Sequence, residues 1–383
     1  MKRRPLGLII GVGLTIGLLQ FVFSDCAKKE PVLLGFAAEL TGRQAELGVQ
    51  ERNGAQLAVE TINASGGVAG RPLELMVHDD LGKPEGARAA VRALIDAGAL
   101  AIIGHATSSQ TLAGLPVANA ARIVLLSPTT STPELNDLDD WFFRVISTSV
   151  DGAHKLAQNS YRRRGVKRIA VVYDTDNAAY TKPYLDAFKK SYRSQGGEVV
   201  GEVGFASSAQ VDFAPLLSNL RVSDADGLLI IAAGFDTALI AQRARMIGWS
   251  IPLFTSAWAQ SEKLITHGGQ AVEGMDFDQA YDLNSRSPAF LEFKARYQSR
   301  FGHAPSFGAA YGYEAVLVLA AALRQTGGRA EGLRPALLAI RNFQGLIDTF
   351  SFNNYGDVMR PFYLGTIRDG GFVTLETDKS KEP

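Results

Sequence analysis

The feature that most restricts how this chain can fold is an alternation that starts near Pro31. Short apolar runs of buried-strand length are separated by segments of ordinary helix length. Pro31–Ala38, Leu73–His78, Ala101–Gly104, Arg122–Leu126 and Trp141–Ile146 make a first series of strands. Arg168–Tyr173, Glu198–Phe205, Gly227–Ala233 and Pro252–Thr255 make a second. Between them, helical segments are expected through Ala55–Ile62, Pro84–Ala97, Asp151–Arg164, from about Tyr180 to Gln195, and over Asp212–Leu220 and Thr237–Met246. Asn63–Gly67 ends the first of these with residues that tolerate a left-handed backbone. Strand and helix in strict turn is the pattern of a mostly parallel sheet covered on both faces. A chain of 383 residues exceeds one ordinary core. Two β/α series of similar length therefore predict two similar α/β lobes. Beyond Met275 the pattern loosens into a long apolar helix at Tyr311–Thr326, a short one at Arg334–Asn342, and strand-like pieces at Asp348–Phe352, Tyr363–Ile367 and Phe372–Leu375.

Charge narrows the partners. Lys+Arg and Asp+Glu both number 39, so the chain has no basic excess with which to hold a nucleic acid. The N-terminus bears on location. Lys2, Arg3 and Arg4 precede a largely apolar run from Leu6 to Phe23, the layout of an export signal; the run is long for a signal and borderline for a membrane span, which keeps an uncleaved anchor as the alternative. Cys26, the single cysteine, follows, ahead of a polar linker. The arrangement resembles a bacterial lipoprotein signal in which Cys26 becomes the lipidated first residue, although Asp25 stands where Gly, Ala or Ser is usual. Ordinary cleavage nearby is the alternative. Both routes place the protein outside the cytoplasmic membrane, and a lone cysteine leaves no internal disulfide.

In an open parallel sheet, ligands bind beyond the carboxyl ends of the strands. Two such ends here run into hydroxyl-rich loops: Gly104–Thr111, with Thr107 and Ser108, and Ser127–Glu134, with Thr129, Thr130 and Ser131. Hydroxyls and free backbone N–H groups at a strand-to-helix turn suit a carboxylate. The same residues are also ordinary caps and turns. Tyr180, Phe235 and Trp258 follow strands of the second series and read equally as packing aromatics. Asp79 and Asp80 read as turn formers, since two carboxylates without further donors do not make a metal site. The five histidines are scattered. Neither a His-Glu-x-x-His pattern, a Gly-x-Ser-x-Gly elbow nor a phosphate-binding glycine loop occurs. Gly11–Gly13 with Gly17 lies inside the leader and opens no β/α unit. His105 precedes Ser108 by three residues, but no acid is evident to orient it. Catalysis, a metal and a cofactor are not expected.

A set of ordered motifs goes further. Gly54–Asn63 with Gly66–Leu73, Asp79–Asp80, Ile103–His105 with Ser108–Ser109, Leu126–Pro128 with Pro133–Leu135, Tyr173–Asp174 with Tyr180, and Ala309–Ala315 occur in characteristic order and spacing. From about Val32 to about Asp369 the chain resembles the type I periplasmic substrate-binding proteins of ABC transporters, in the branched-chain amino-acid (Leu/Ile/Val)-binding family. That resemblance implies two Rossmann-like, doubly wound α/β lobes joined by three crossovers, near Ile146–Ser149, Asp276–Ala280 and Phe350–Phe352. The implied layout is an export signal over 1–26, a linker over 27–31, lobe 1 over 32–147 plus 280–349, lobe 2 over 148–279 plus 350–376, and a polar tail over 377–383. It also implies hinge closure on one small amino-acid-like ligand and delivery to an ABC permease, with contact to the membrane only through a lipid anchor or an uncleaved leader. A ligand-sensing receptor is the alternative use of such a fold. Ligand carboxylate contacts carry over to Thr107 and Ser108, amino-group contacts to Thr129, Thr130 and Ser131, and an aromatic cover to Tyr180. One departure is expected to matter. Where amino-acid binders of this family place a second-lobe carboxylate, this chain reads Ser256-Ala257-Trp258. Either Asp236 substitutes, or the ligand is an aromatic acid or amide flanked by Trp258 and Phe235.

Overall fold

A computed structural model describes residues 30–375; the leader, most of the linker, Cys26 and the polar tail lie outside them. In chain order the first β/α series gives β1 (Val32–Ala38), α1 (Glu46–Ala64), β2 (Leu73–Asp79), α2 (Pro84–Asp96), β3 (Ala101–Gly104), α3 (Ser108–Ala121), β4 (Val124–Ser127) and β5 (Phe142–Arg144). The strands form one five-stranded, wholly parallel sheet in the order β2-β1-β3-β4-β5. In β3 the side chains alternate between two cores. Ala101 and Ile103 face a cluster built on α1, while Ile102 faces one built on α2 and α3. That two-sided burial is why these runs are continuously apolar.

The chain then crosses to a second sheet. α4 (Ser149–Gln158) continues as a wider π-helical turn and leads to β6 (Arg168–Asp174), α5 (Ala178–Ser194), β7 (Glu198–Phe205), α6 (Phe213–Arg221), β8 (Gly227–Ile231), α7 (Gly234–Met246), β9 (Leu253–Thr255), α8 (Glu262–Gly268) and β10 (Asp276–Gln279). α7 starts three residues earlier than expected, so Phe235 and Asp236 sit in its first turn and not in a loop. The chain returns to the first lobe for α9 (Pro288–Phe301), α10 (Phe307–Gln325), α11 (Leu333–Leu338) and the small antiparallel pair β11 (Phe343–Gln344) and β12 (Thr349–Phe350). It ends with β13 (Tyr363–Arg368) and β14 (Gly371–Leu375), antiparallel additions that complete a seven-stranded sheet β14-β13-β10-β9-β8-β6-β7.

The last return comes later than residue 350. Phe350, Phe352 and Val358 are buried in the first-lobe core with α9 and α10, and the second sheet is entered only at Tyr363. α10 is long and apolar enough to cross a membrane, yet 83% of its most apolar window is buried in the protein, as expected of a core helix. It crosses α1 at unusually close range. A Cβ on Gly54 would lie 1.9 Å from the Ala309 carbonyl oxygen, and one on Gly312 would lie 2.3 Å from the Glu51 carbonyl oxygen. Glycine at both positions is what lets the two backbones touch.

Candidate functional site

The carboxyl ends of both sheets face each other across a cleft, and the lobes touch over it. Arg43, in the loop before α1, donates through Nε to Asp236 Oδ1 at 2.9 Å and also through its terminal nitrogen. Gln44 Nε2 donates to Asp174 Oδ2 at 2.9 Å. At the start of α3, Ser109 N donates to Asn177 Oδ1 at 3.2 Å, and its hydroxyl accepts from Ala179 N at 3.3 Å. Lys263 N reaches Glu46 Oε1 at 3.3 Å. These contacts join residues far apart in the chain and hold the lobes shut.

Between the lobes lies a small cavity. Thr107, Ser108, Thr129 and Ser131 line it from the first lobe, and Tyr180 and Trp258 from the second, so the structure brings together six of the residues singled out in the sequence. Ser108 begins α3, so its own N–H, which has no partner within the helix, lies at the cavity edge. Tyr180 and Trp258 meet edge to face with ring centroids 5.5 Å apart, forming an aromatic wall. Burial, with the nearby Asp278 carboxyl, pushes the Tyr180 phenol well above its ordinary value, so it remains a hydrogen-bond donor.

Three expected residues are placed differently. Thr130 does not line the cavity. Its hydroxyl is buried against Thr111 Oγ1 at 2.6 Å and the His105 carbonyl at 3.2 Å, and Ser127 Oγ accepts from its N–H at 2.9 Å. It folds the loop. Phe235 lines an adjoining chamber, with Arg43 over its ring at 5.1 Å. Asp236 is buried, accepts from Arg43 through Oδ1 while Oδ2 is without a partner, and does not line the cavity.

His105 does have an orienting acid, contrary to expectation. Its Nδ1 lies 2.6 Å from Asp80 Oδ2. Its Nε2, however, faces Gly114 and not Ser108, so no nucleophile–base pair is assembled. Asp79 and Asp80 otherwise act as turn formers, accepting from Leu81 N at 2.8 Å and Gly82 N at 2.9 Å. Among the described residues no cluster of three or more His, Cys, Asp or Glu is arranged for a metal.

Sequence reasoning missed several cavity residues. Asn177 lies in the polar turn before Tyr180, and Ser149 and Ala280 lie beside the crossovers, so position alone could have suggested them. Leu47, Phe307 and Phe362 carry no local signal. Two buried acids were also missed. Glu51, on α1, contacts the Thr129 hydroxyl, and burial holds its carboxyl well above the usual range. Thr129 has one proton and two acceptors, the other being Ala106 O at 2.6 Å, which fits a neutral Glu51. Asp278 lies behind the cavity wall, accepting from Tyr184 OH at 2.5 Å and Ala257 N at 3.2 Å. Burial pushes it up to about 7.

Comparison with known proteins agrees with this architecture. A family model described as periplasmic binding protein matches residues 31–371. The Leu/Ile/Val-binding protein homolog 3 of Brucella melitensis is 24% identical over 367 residues, covering 94% of this chain and 96% of that one. The crystal structure of a leucine binding protein from Thermotoga maritima superposes with a TM-score of 0.83 at 26% identity, covering 90% of this chain and 98% of that one. A solute binding protein of an ABC transporter from Rhodopseudomonas palustris, in complex with 3,4-dihydroxy benzoic acid, gives a TM-score of 0.80 at 22% identity and covers 92% and 99%.

Proposed function

The chain belongs to the periplasmic binding protein family, and on that premise we propose that it is the solute receptor of an ABC importer, closing on one small carboxylate-bearing ligand of amino-acid size. The observation that carries this reading is the interlobe cavity, with hydroxyls and a helix N-terminus on one side and an aromatic wall on the other. A carboxylate fits at Ser108, where hydroxyl and helix-terminal N–H groups converge. The Brucella and Thermotoga relatives, named for branched-chain amino acids, support a ligand of this size. The periplasm is the location that goes with the family, and handing the ligand to a membrane permease is the step proposed to follow. Binding without turnover is part of this reading, since the buried imidazole is turned away from Ser108.

A second ligand class is favoured by one observation. The lining of the cavity contains no charged side chain, and Asp236 is neutralised by Arg43. An α-ammonium would enter without a directly facing carboxylate, at a desolvation cost that an aromatic acid avoids. The Rhodopseudomonas relative was crystallised with such an acid.

Calorimetry after a thermal-shift screen of amino acids and aromatic acids tests the assignment. Ser108→Ala is expected to weaken the best carboxylate by about 1–3 kcal/mol, the cost of stranding a buried partner. Unchanged affinity would remove Ser108 from the site. Asp236→Asn is expected to weaken every ligand alike, by about 1.5–3 kcal/mol, because it removes a charged hydrogen bond that spans the closed lobes. A loss confined to ammonium-bearing ligands would instead return Asp236 to the ligand.

A further inference from the structure

Behind Trp258 the cleft does not end. A second, small chamber shares Leu47, Trp258 and Phe307 with the first. Most of its polar groups are already engaged. Arg43 holds Asp236, Glu46 accepts from Lys263 N, and Gln50 Oε1 accepts from Tyr297 OH at 2.7 Å. The hydroxyl of Ser306 caps α10. Gln260 is the exception. It lines the chamber, is 1% exposed, and neither Nε2 nor Oε1 has a partner. The hydroxyl of Ser261 beside it is also without one.

An unpartnered buried amide is costly on both its donor and its acceptor side, and an aliphatic residue would fill the same space without that cost. We infer that the ligand reaches past Trp258 into this chamber and that Gln260 reads a carboxamide at its far end. The inference rests on the solute-binding reading above, with the carboxylate at Ser108. The chemistry selects the amide. A distal carboxylate would satisfy Nε2 and confront Oε1 with a second acceptor, and a distal ammonium would do the reverse. A carboxamide offers an N–H to Oε1 and a carbonyl to Nε2 at once, as two amides pair in a ring. Leu47, Phe235 and Phe307 are the apolar lining that a ligand stem would meet on the way.

Two matched pairs of probes test this by calorimetry on the exported protein: para-carbamoylbenzoate against para-isopropylbenzoate, and glutamine against homoleucine. In at least one pair the amide is expected to bind roughly tenfold more tightly than its apolar isostere. Gln260→Leu should erase or invert that preference. Gln260→Glu, which keeps the shape but loses the N–H donors, should erase it as well, so a folding defect in one variant does not decide the matter. Equal binding within both pairs, or a preference that survives both substitutions, overturns the inference. If the isosteres still bind and lose affinity on Ser108→Ala, the solute-binding reading stands without it. If no probe binds and Ser108→Ala changes nothing in the wider carboxylate screen, both fall together.

Discussion

Arg360→Met is expected to lower the stability of the folded protein by about 3–5 kcal/mol, the usual consequence of removing one partner from a buried ion pair. Arg360 and Glu314 are 2% and 0% exposed in their side chains, with Nη1 to Oε2 at 2.5 Å and Nη2 to Oε1 at 3.3 Å. The same guanidinium reaches Asp348 through Nε at 3.3 Å and donates to the Val145 carbonyl at 2.9 Å. It also stands over the rings of Tyr311 and Phe350, 4.9 Å from each centroid. One side chain therefore ties α10, the β11–β12 pair, the segment after β5 and the last return to the second lobe. Without it, Glu314 keeps only the Leu346 N–H, at 2.7 Å, inside an apolar core. A melting curve should fall by roughly 6–20 °C for a lobe of this size. Adding Glu314→Leu to the same protein should recover part of the loss, because the stranded charge is gone. A single variant that melts like the parent would show that the cluster contributes no net stability.

Asp278→Asn is expected to stabilise the ligand-free protein at pH 8 and to leave it unchanged near pH 4. The carboxyl is buried, Tyr184 OH and Ala257 N both bond Oδ1, and Oδ2 has no partner. Burial raises it from an ordinary 3.8 to about 7. A folded-state value above the unfolded one means that the folded protein holds its proton more tightly. The associated stability is fully present below about pH 4 and is lost as pH rises through about 7. The shift corresponds to something on the order of 4 kcal/mol between those limits. Glu39 is raised to about 7 as well, by burial and by the neighbouring Asp80 charge, so the parent protein loses stability from both groups over the same interval. Asparagine keeps the Oδ1 acceptor and mimics the neutral acid, which is why the variant should lose only its own share of the pH dependence. Parallel melting curves for parent and variant from pH 4 to 8 would show that Asp278 is already ionised in the folded state.

Most of the fold was legible because it depends on local patterning. Ile102 and Ile103 had to be apolar to sit between two covered faces, and that requirement is visible in the run itself. Gly54 and Gly312 fell inside motifs quoted from the sequence, although only the contact between α1 and α10 explains them. Element ends were less legible. The early start of α7 moved Phe235 and Asp236 from a loop into a helical turn, and side-chain direction moved with it. Ser108, Thr129, Ser131, Tyr180 and Trp258 could be anticipated because a parallel sheet presents the ends of its strands to one edge.

What the sequence determined by itself was the strand–helix alternation, the two hydroxyl loops that end β3 and β4, and the absence of an acid in Ser256-Ala257-Trp258. These are properties of neighbouring residues, read from periodicity and residue type. What only the tertiary structure decided is which polar groups are already satisfied. Asp236 meets Arg43 from 193 positions away, Thr130 turns in toward His105, Asp278 loses its water, and Gln260 is left without a partner. Burial and pairing are set by segments distant in the chain, and they fix whether a carboxylate, hydroxyl or amide is free to meet a ligand.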